Sequence, residues 1–162
     1  MAWHNTRMKS MTRREAFVAV AGVAAASYRI NGQQPTTVDV YKDPTCGCCG
    51  LWVAHLRARG FTVMGTDTPN VNAVKDKYHV AAPLRSSDTA LVSGNVIEGH
   101  VPAADVQRLL KEKPKVLGLA VPGMLVGSPG MEGPGGHPYD VLTFDAAGKT
   151  TVYSTQQPSS RA

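Results

Sequence analysis

Four consecutive residues, Cys46-Gly47-Cys48-Cys49, hold all three cysteines of this 162-residue chain. Core packing does not call for thiols at that density. Cys46 and Cys49 stand in Cys-x-x-Cys spacing, which suits a pair that cycles between dithiol and disulfide. Cys48 is surplus to that task. Three thiolates meeting at one point suit a soft ion, and Cu(I) above all. Zinc fits less well, because it wants four ligands and the chain has no Cys₄ set. The ordinary alternative is one structural disulfide plus a buried thiol; a bridge between the adjacent Cys48 and Cys49 would be strained, so Cys46–Cys49 is the plausible pair in that case. An odd number of cysteines then leaves one sulfur unpaired, a mismatch that a metal bound by all three would resolve.

Further donors are spread along the chain. Met124 and Met131 are soft thioethers suited to Cu(I), although methionine more often fills a core. His100 and His137 are candidate imidazole ligands, against the ordinary alternative of an exposed or locally hydrogen-bonded histidine. His55 lies about two helical turns beyond the thiols and reads as structural or exposed. Trp52 reads as core and Arg85 as a surface residue. No Ser-His-Asp order, phosphate loop or pair of catalytic carboxylates stands out. Gly127-Ser-Pro-Gly130 lacks the strand-to-helix context of a nucleophile elbow.

The elements that must position these groups follow from pattern. Residues 36–42 alternate and carry β-formers, predicting a strand that ends at Asp43-Pro44. The thiols follow, and then a helix over 50–59, with Trp52 and Leu56 on one face and Gly60 as its stop. Residues 61–64 predict a strand and 70–78 a helix capped by Asn70. Residues 89–93 and 96–100 predict a hairpin turning at Gly94-Asn95. Pro102 opens a helix over 103–112, with Val106, Leu109 and Leu110 as its apolar stripe. The Gly/Pro-rich stretch 121–137 excludes regular structure but is too apolar for a solvated linker, which predicts a partly packed loop. Residues 139–144 and 149–153 close the chain as a strand–turn–strand. The expected fold is α/β and thioredoxin-like: a central mixed sheet flanked by helices, with a long Gly/Pro loop and a C-terminal strand pair. In that order the first strand delivers the thiols to the start of the first helix, where the dipole and free N–H groups stabilise thiolate.

The formal charge of +5 is unevenly placed. Residues 1–30 carry five Lys and Arg against one Glu, while the remainder carries 12 basic residues against 11 acidic ones. The folded body is therefore near neutral, and with no basic stripe bearing aromatics a nucleic-acid partner is not expected. The N-terminal pattern is Arg13-Arg14, then an apolar run over 16–26, then small residues, which reads as an export signal. The run is too short to span a bilayer, and the arginine pair suggests the twin-arginine route for folded cargo. The expected organisation is an export signal over 1–30, a linker over 31–35, a metal-binding domain over 36–155 and a polar frayed tail over 156–162. Localisation would be periplasmic, with no membrane association after export unless the signal is retained.

These residues resemble a known family, the periplasmic thioredoxin-like copper-resistance proteins of the CopG type. The resemblance covers about residues 36–155 and is carried by 40–50 (Val-Tyr-Lys-Asp-Pro-Thr-Cys-Gly-Cys-Cys-Gly), 96–102 (Val-Ile-Glu-Gly-His-Val-Pro), 118–124 (Gly-Leu-Ala-Val-Pro-Gly-Met), 127–131 (Gly-Ser-Pro-Gly-Met) and 138–141 (Pro-Tyr-Asp-Val). It implies a thioredoxin fold, Cu(I) held by Cys46, Cys48 and Cys49, and a role in envelope copper handling. The chain departs from the family at one segment. Where the family reads Leu-Arg-Ser-Cys-His-Thr-Ala, this chain has Ser87 for the cysteine and Asp88 for the histidine. That loop faces the thiol turn in thioredoxin folds, so the change removes a sulfur and an imidazole and puts a multinuclear copper cluster in question.

The leading expectation is an exported copper-binding protein for copper handling or resistance. Its partners would be copper ions and other envelope copper proteins. The alternative is a thiol–disulfide or copper-redox oxidoreductase with Cys46 attacking and Cys49 resolving. A third reading is a structural module with a plain disulfide.

Overall fold

The computed structural model describes residues 35–159, so the predicted export segment and all of the linker except Pro35 lie outside the described residues. The elements are β1 (Thr37–Lys42), α1 (Gly47–Ala58), β2 (Thr62–Asp67), α2 (Val71–Lys77), β3 (Asp88–Val92), β4 (Asn95–Glu98), α3 (Ala103–Glu112), β5 (Gly118–Ala120), β6 (Tyr139–Phe144) and β7 (Thr150–Gln156). One turn of 3₁₀ helix, Ala82–Leu84, comes before β3. The seven strands form a single mixed sheet in the order β2-β1-β3-β4-β5-β6-β7. β1 runs parallel to β2 and β4 to β5, and the other neighbours are antiparallel. The α/β architecture expected from the sequence, with a mixed sheet, three helices and a closing strand pair, is the one the chain adopts.

Strand parity decides which side chains reach the site. Successive side chains on a strand point to opposite faces. Ile97 and Leu119 join a core with Trp52, Val53 and Leu56 of α1 and Val106 and Leu109 of α3. Their neighbours Val96 and Ala120 join a second core with Val80, Leu84 and Phe144. On β3, Ala90 and Val92 belong to the first core, so Asp88 points to the α1 side. Thr89 points the other way, where its hydroxyl meets Lys75 Nζ of α2 at 2.8 Å.

Three differences from the expected elements have physical causes. α1 begins at Gly47 rather than Gly50, because Cys46 occupies the N-cap and its Sγ accepts the Cys49 N–H at 3.3 Å. Cys48 and Cys49 therefore sit in the first helical turn. β5 was not anticipated, lying between the α3 segment and the Gly/Pro-rich stretch. Gly118 makes it possible, since a Cβ there would lie 1.7 Å from the Val96 carbonyl oxygen. Gln156, assigned from sequence to a frayed tail, instead ends β7. Its amide donates to Asp105 Oδ2 at 2.8 Å, and Ser159 N–H donates to the Gly127 carbonyl at 2.8 Å.

Candidate metal centre

The three sulfurs converge at the N-terminus of α1. Cys46 and Cys49 form a disulfide, and Cys48 is the free thiol. Cys48 Sγ lies 3.3 Å from Cys46 Sγ. The three sulfurs all fall within 4.8 Å of one another. Cys49 is fully buried, while Cys46 and Cys48 are half-buried and face the open side. Breaking the disulfide would leave three thiols around one point, two of them reachable from solvent.

Ser87 closes the opposite side. Its Oγ lies 3.1 Å from Cys49 Sγ, 3.5 Å from Cys46 Sγ and 3.1 Å from Met124 Sδ. A hydroxyl has one proton to give, so Ser87 donates to one of these sulfurs at a time. Ser86 Oγ donates to the Gly123 carbonyl at 2.7 Å and lies 3.4 Å from Met124 Sδ. The two serines thus hold the Met124 thioether beside the disulfide. The segment that carries them is pinned from beneath. Ser86 N–H donates to Glu98 Oε1 at 2.6 Å, and Glu98 pairs with Lys75 at 2.5 Å with neither side chain exposed.

Behind Cys49 lies a second polar group. Asp88 and His100 are both buried, with Asp88 Oδ1 3.8 Å from His100 Nε2. Neither carboxylate oxygen nor either ring nitrogen completes a hydrogen bond. Burial, reinforced by the Glu98 charge and opposed by Lys75, pushes the Asp88 carboxyl up to about 7. Burial also drives the His100 imidazole down to about 4, against the opposing pull of the Pro129 carbonyl and Glu132. The imidazole is therefore neutral near pH 7, and the contact is not an ion pair. The His100 ring is stacked on Trp52, with ring planes 1° apart. Trp52 is in turn anchored by its indole N–H to the Val101 carbonyl at 2.9 Å. Each buried polar group without a partner costs about 1–3 kcal/mol, which makes this cluster a candidate place for a ligand. Cys49 Sγ, an Asp88 oxygen and a His100 nitrogen all lie within 4.8 Å of one another.

The long loop covers the thiol turn, and Gly127 to Gly130 are buried. Gly130 has φ +84, and a Cβ on it would lie 2.8 Å from both the Cys48 carbonyl oxygen and the Trp52 nitrogen. Gly130→Ala is expected to cost about 1–3 kcal/mol, read as a lower urea midpoint with an unchanged slope. Met131 is tied to the Ser128–Gly127 turn by its backbone. His137 is exposed and lines a surface hollow with Met124, Tyr139 and Asp140. Neither is brought to the thiols by any contact among the described residues. His55 Nε2 accepts the Ala103 N–H at 3.1 Å, which ties α1 to the start of α3. Sequence reasoning missed the burial of Asp88 and the Lys75–Glu98 pair. Parity along 88–92 could have placed Asp88 on the thiol side, but nothing in the sequence paired Lys75 with Glu98.

Comparisons with known proteins show what the chain is similar to. A family model described as "Protein of unknown function, DUF411" matches residues 84–131, from the serine segment through the covering loop. No curated protein matches the chain. Two solved structures do. One, titled copper resistance protein CopG in its form 2, is 40% identical, covers 76% of this chain and 99% of its own, and superposes with a TM-score of 0.72. The form 1 structure gives 39% identity over the same shares, also with a TM-score of 0.72. With likeness of that extent in both sequence and fold, the chain belongs to the CopG family of copper resistance proteins.

Proposed function

We propose that this chain is an exported copper-binding protein that captures Cu(I) on Cys46, Cys48 and Cys49 for envelope copper handling. The observation that carries the reading is the convergence of three sulfurs within 4.8 Å at a helix N-terminus. Thiolates are soft donors that select Cu(I), and the helix dipole favours them in the anionic form. Met124, held beside the disulfide by Ser86 and Ser87, is the best-placed fourth soft donor. A His100 ring nitrogen lies within 4.8 Å of Cys49 Sγ, but His100 is grouped with Cys49 and Asp88 and not with Cys46 and Cys48. His137 and Met131 have no comparable support as ligands. The copper resistance titles of the related structures support copper as the metal. The basic and apolar pattern of residues 1–30 supports export to the periplasm, by the twin-arginine route.

Capture requires the dithiol form, because the Cys46–Cys49 bond occupies two of the three ligands. Titration of the dithiol-reduced protein with Cu(I) under anaerobic conditions, in competition with a Cu(I) chelator, is expected to show at least one tightly held ion. A chelator that keeps all the copper would remove the reading. One observation favours a second reading, a thiol–disulfide oxidoreductase: a Cys-x-x-Cys disulfide stands with a third thiol 3.3 Å from one of its sulfurs. That reading requires turnover with a dithiol partner that is lost in Cys49→Ser.

A further inference from the structure

We propose that Cys49, Asp88 and His100 form a second metal site, behind the three-thiol site, that takes a borderline divalent cation of the zinc(II) class when the disulfide is reduced. The site goes beyond the Cu(I) reading. It shares Cys49 with the three-thiol site but uses neither Cys46 nor Cys48.

The donor atoms are already gathered. One sulfur, one oxygen and one nitrogen lie within 4.8 Å of one another on three buried residues. Asp88 Oδ1 and His100 Nε2 are 3.8 Å apart. Bonds of about 2.0–2.1 Å in a tetrahedron place neighbouring ligand atoms about 3.3 Å apart, so a modest contraction closes the site around an ion. Both carboxylate oxygens of Asp88 and both ring nitrogens of His100 lack hydrogen-bond partners. Lys75, the nearby buried cation, pairs with Glu98 and hydrogen-bonds Asp88 through its backbone carbonyl, not its carboxylate. The imidazole plane is held by its stacking on Trp52.

The donor chemistry selects the ion. Cu(I) takes soft sulfur and has little use for a carboxylate. A set of one thiolate, one imidazole and one carboxylate matches zinc(II), with a fourth position left for water or a neighbouring oxygen. The absence of a Cys₄ set argued against zinc from sequence alone. The fold supplies an imidazole and a carboxylate from β3 and the segment after β4 in its place.

The site opens through one redox step. A dithiol reductant supplies two electrons and two protons, the Cys46 Sγ–Cys49 Sγ bond breaks to two thiols, and the reductant leaves as its own disulfide. The incoming cation then displaces the Cys49 proton to solvent. Cys49 cannot serve both ions fully, so a divalent cation here competes with Cu(I) for one sulfur.

The test uses the full chain, reduced with a dithiol, freed of reductant under anaerobic conditions and titrated with Zn(II) against a chromophoric chelator. One Zn(II) per chain is expected, with none bound by the disulfide form. Asp88→Asn, close to isosteric, is expected to weaken Zn(II) at least tenfold, while Cys48→Ser changes it less than twofold. Co(II) added to the unsubstituted reduced chain reports ligand type without any substitution. The expected spectrum carries the charge-transfer intensity of one thiolate. A three-thiolate spectrum, or Zn(II) binding lost in Cys48→Ser and indifferent to Asp88→Asn, would place the ion on the three-thiol site and overturn the proposal, as would no Zn(II) binding at all. Loss of the Cu(I) reading alone would appear as Zn(II) retained with no Cu(I) held, so the two outcomes are separable.

Discussion

Cys48→Ser is expected to lower Cu(I) affinity by about 100-fold or more while leaving the Cys46–Cys49 disulfide able to form. Loss of an outer-shell partner alone typically costs 10–100-fold in metal affinity, and this substitution removes a ligand outright. Cys48 Sγ lies 3.3 Å from Cys46 Sγ and takes no part in the bridge. The substitution therefore separates the two readings of the thiol cluster. A copper-capture site needs the third sulfur, whereas a Cys-x-x-Cys redox pair cycles without it. Chelator competition gives the affinity, and a thiol count before and after oxidation shows that the bridge still closes. Unchanged copper affinity would reject the three-thiolate site and move the function toward thiol–disulfide exchange.

Lys75→Met is expected to destabilise the fold by about 3–5 kcal/mol, the usual cost of leaving one half of a buried ion pair without its partner. Lys75 and Glu98 are each fully buried. Lys75 Nζ also donates to the Asp88 carbonyl at 3.0 Å and to Thr89 Oγ1 at 2.8 Å, and Glu98 Oε2 accepts from Thr89. Removing the ammonium strands the Glu98 carboxylate in a dry interior. Neutralising it as well, in Lys75→Met/Glu98→Gln, should return a large part of the loss. Urea unfolding of the four proteins in the cycle reads the coupling. A double variant no more stable than Lys75→Met would show that packing, not charge, sets the cost. The pair matters for function because Glu98 also holds Ser86 N–H, and Ser86 and Ser87 carry the hydroxyls that face the sulfurs. A rigid ionic base under this short segment keeps it against the thiol turn.

The departure at Ser87 and Asp88 takes a specific physical form in the fold. Ser87 keeps the position of a ligand but offers a hydroxyl to three sulfurs instead of a fourth thiolate. Asp88 places a carboxylate, a harder oxygen donor than imidazole, 3.8 Å from His100 Nε2. Relative to the pattern the sequence resembles, a sulfur and an imidazole are replaced by a hydroxyl and a carboxylate.

The thiol cluster, its spacing and the order of strands and helices around it were legible because each depends on local pattern. Alternating Val38 and Val40, Asn70 as a helix cap and the hairpin turn at Gly94 follow from residues next to one another in sequence. The start of α1 was misplaced by three residues because a cysteine sulfur, rather than a usual capping oxygen, accepts the Cys49 N–H. β5 was hidden because a glycine that ordinarily marks a loop serves here to let two strands approach.

By itself, then, the sequence determined an α/β chain with three thiols at a helix start and the soft-metal chemistry those thiols can do. Only the tertiary structure decided which distant donors share that place. Met124 is 76 residues from Cys48 and is drawn in by Ser86 and Ser87, whereas Met131 and His137 of the same loop are not. His100 and Asp88 meet behind Cys49 because sheet register and strand parity bring β3 and the end of β4 under α1. Contacts of that kind are set by long-range packing, in which the partner of a side chain is chosen by the pairing of strands and not by its neighbours in sequence.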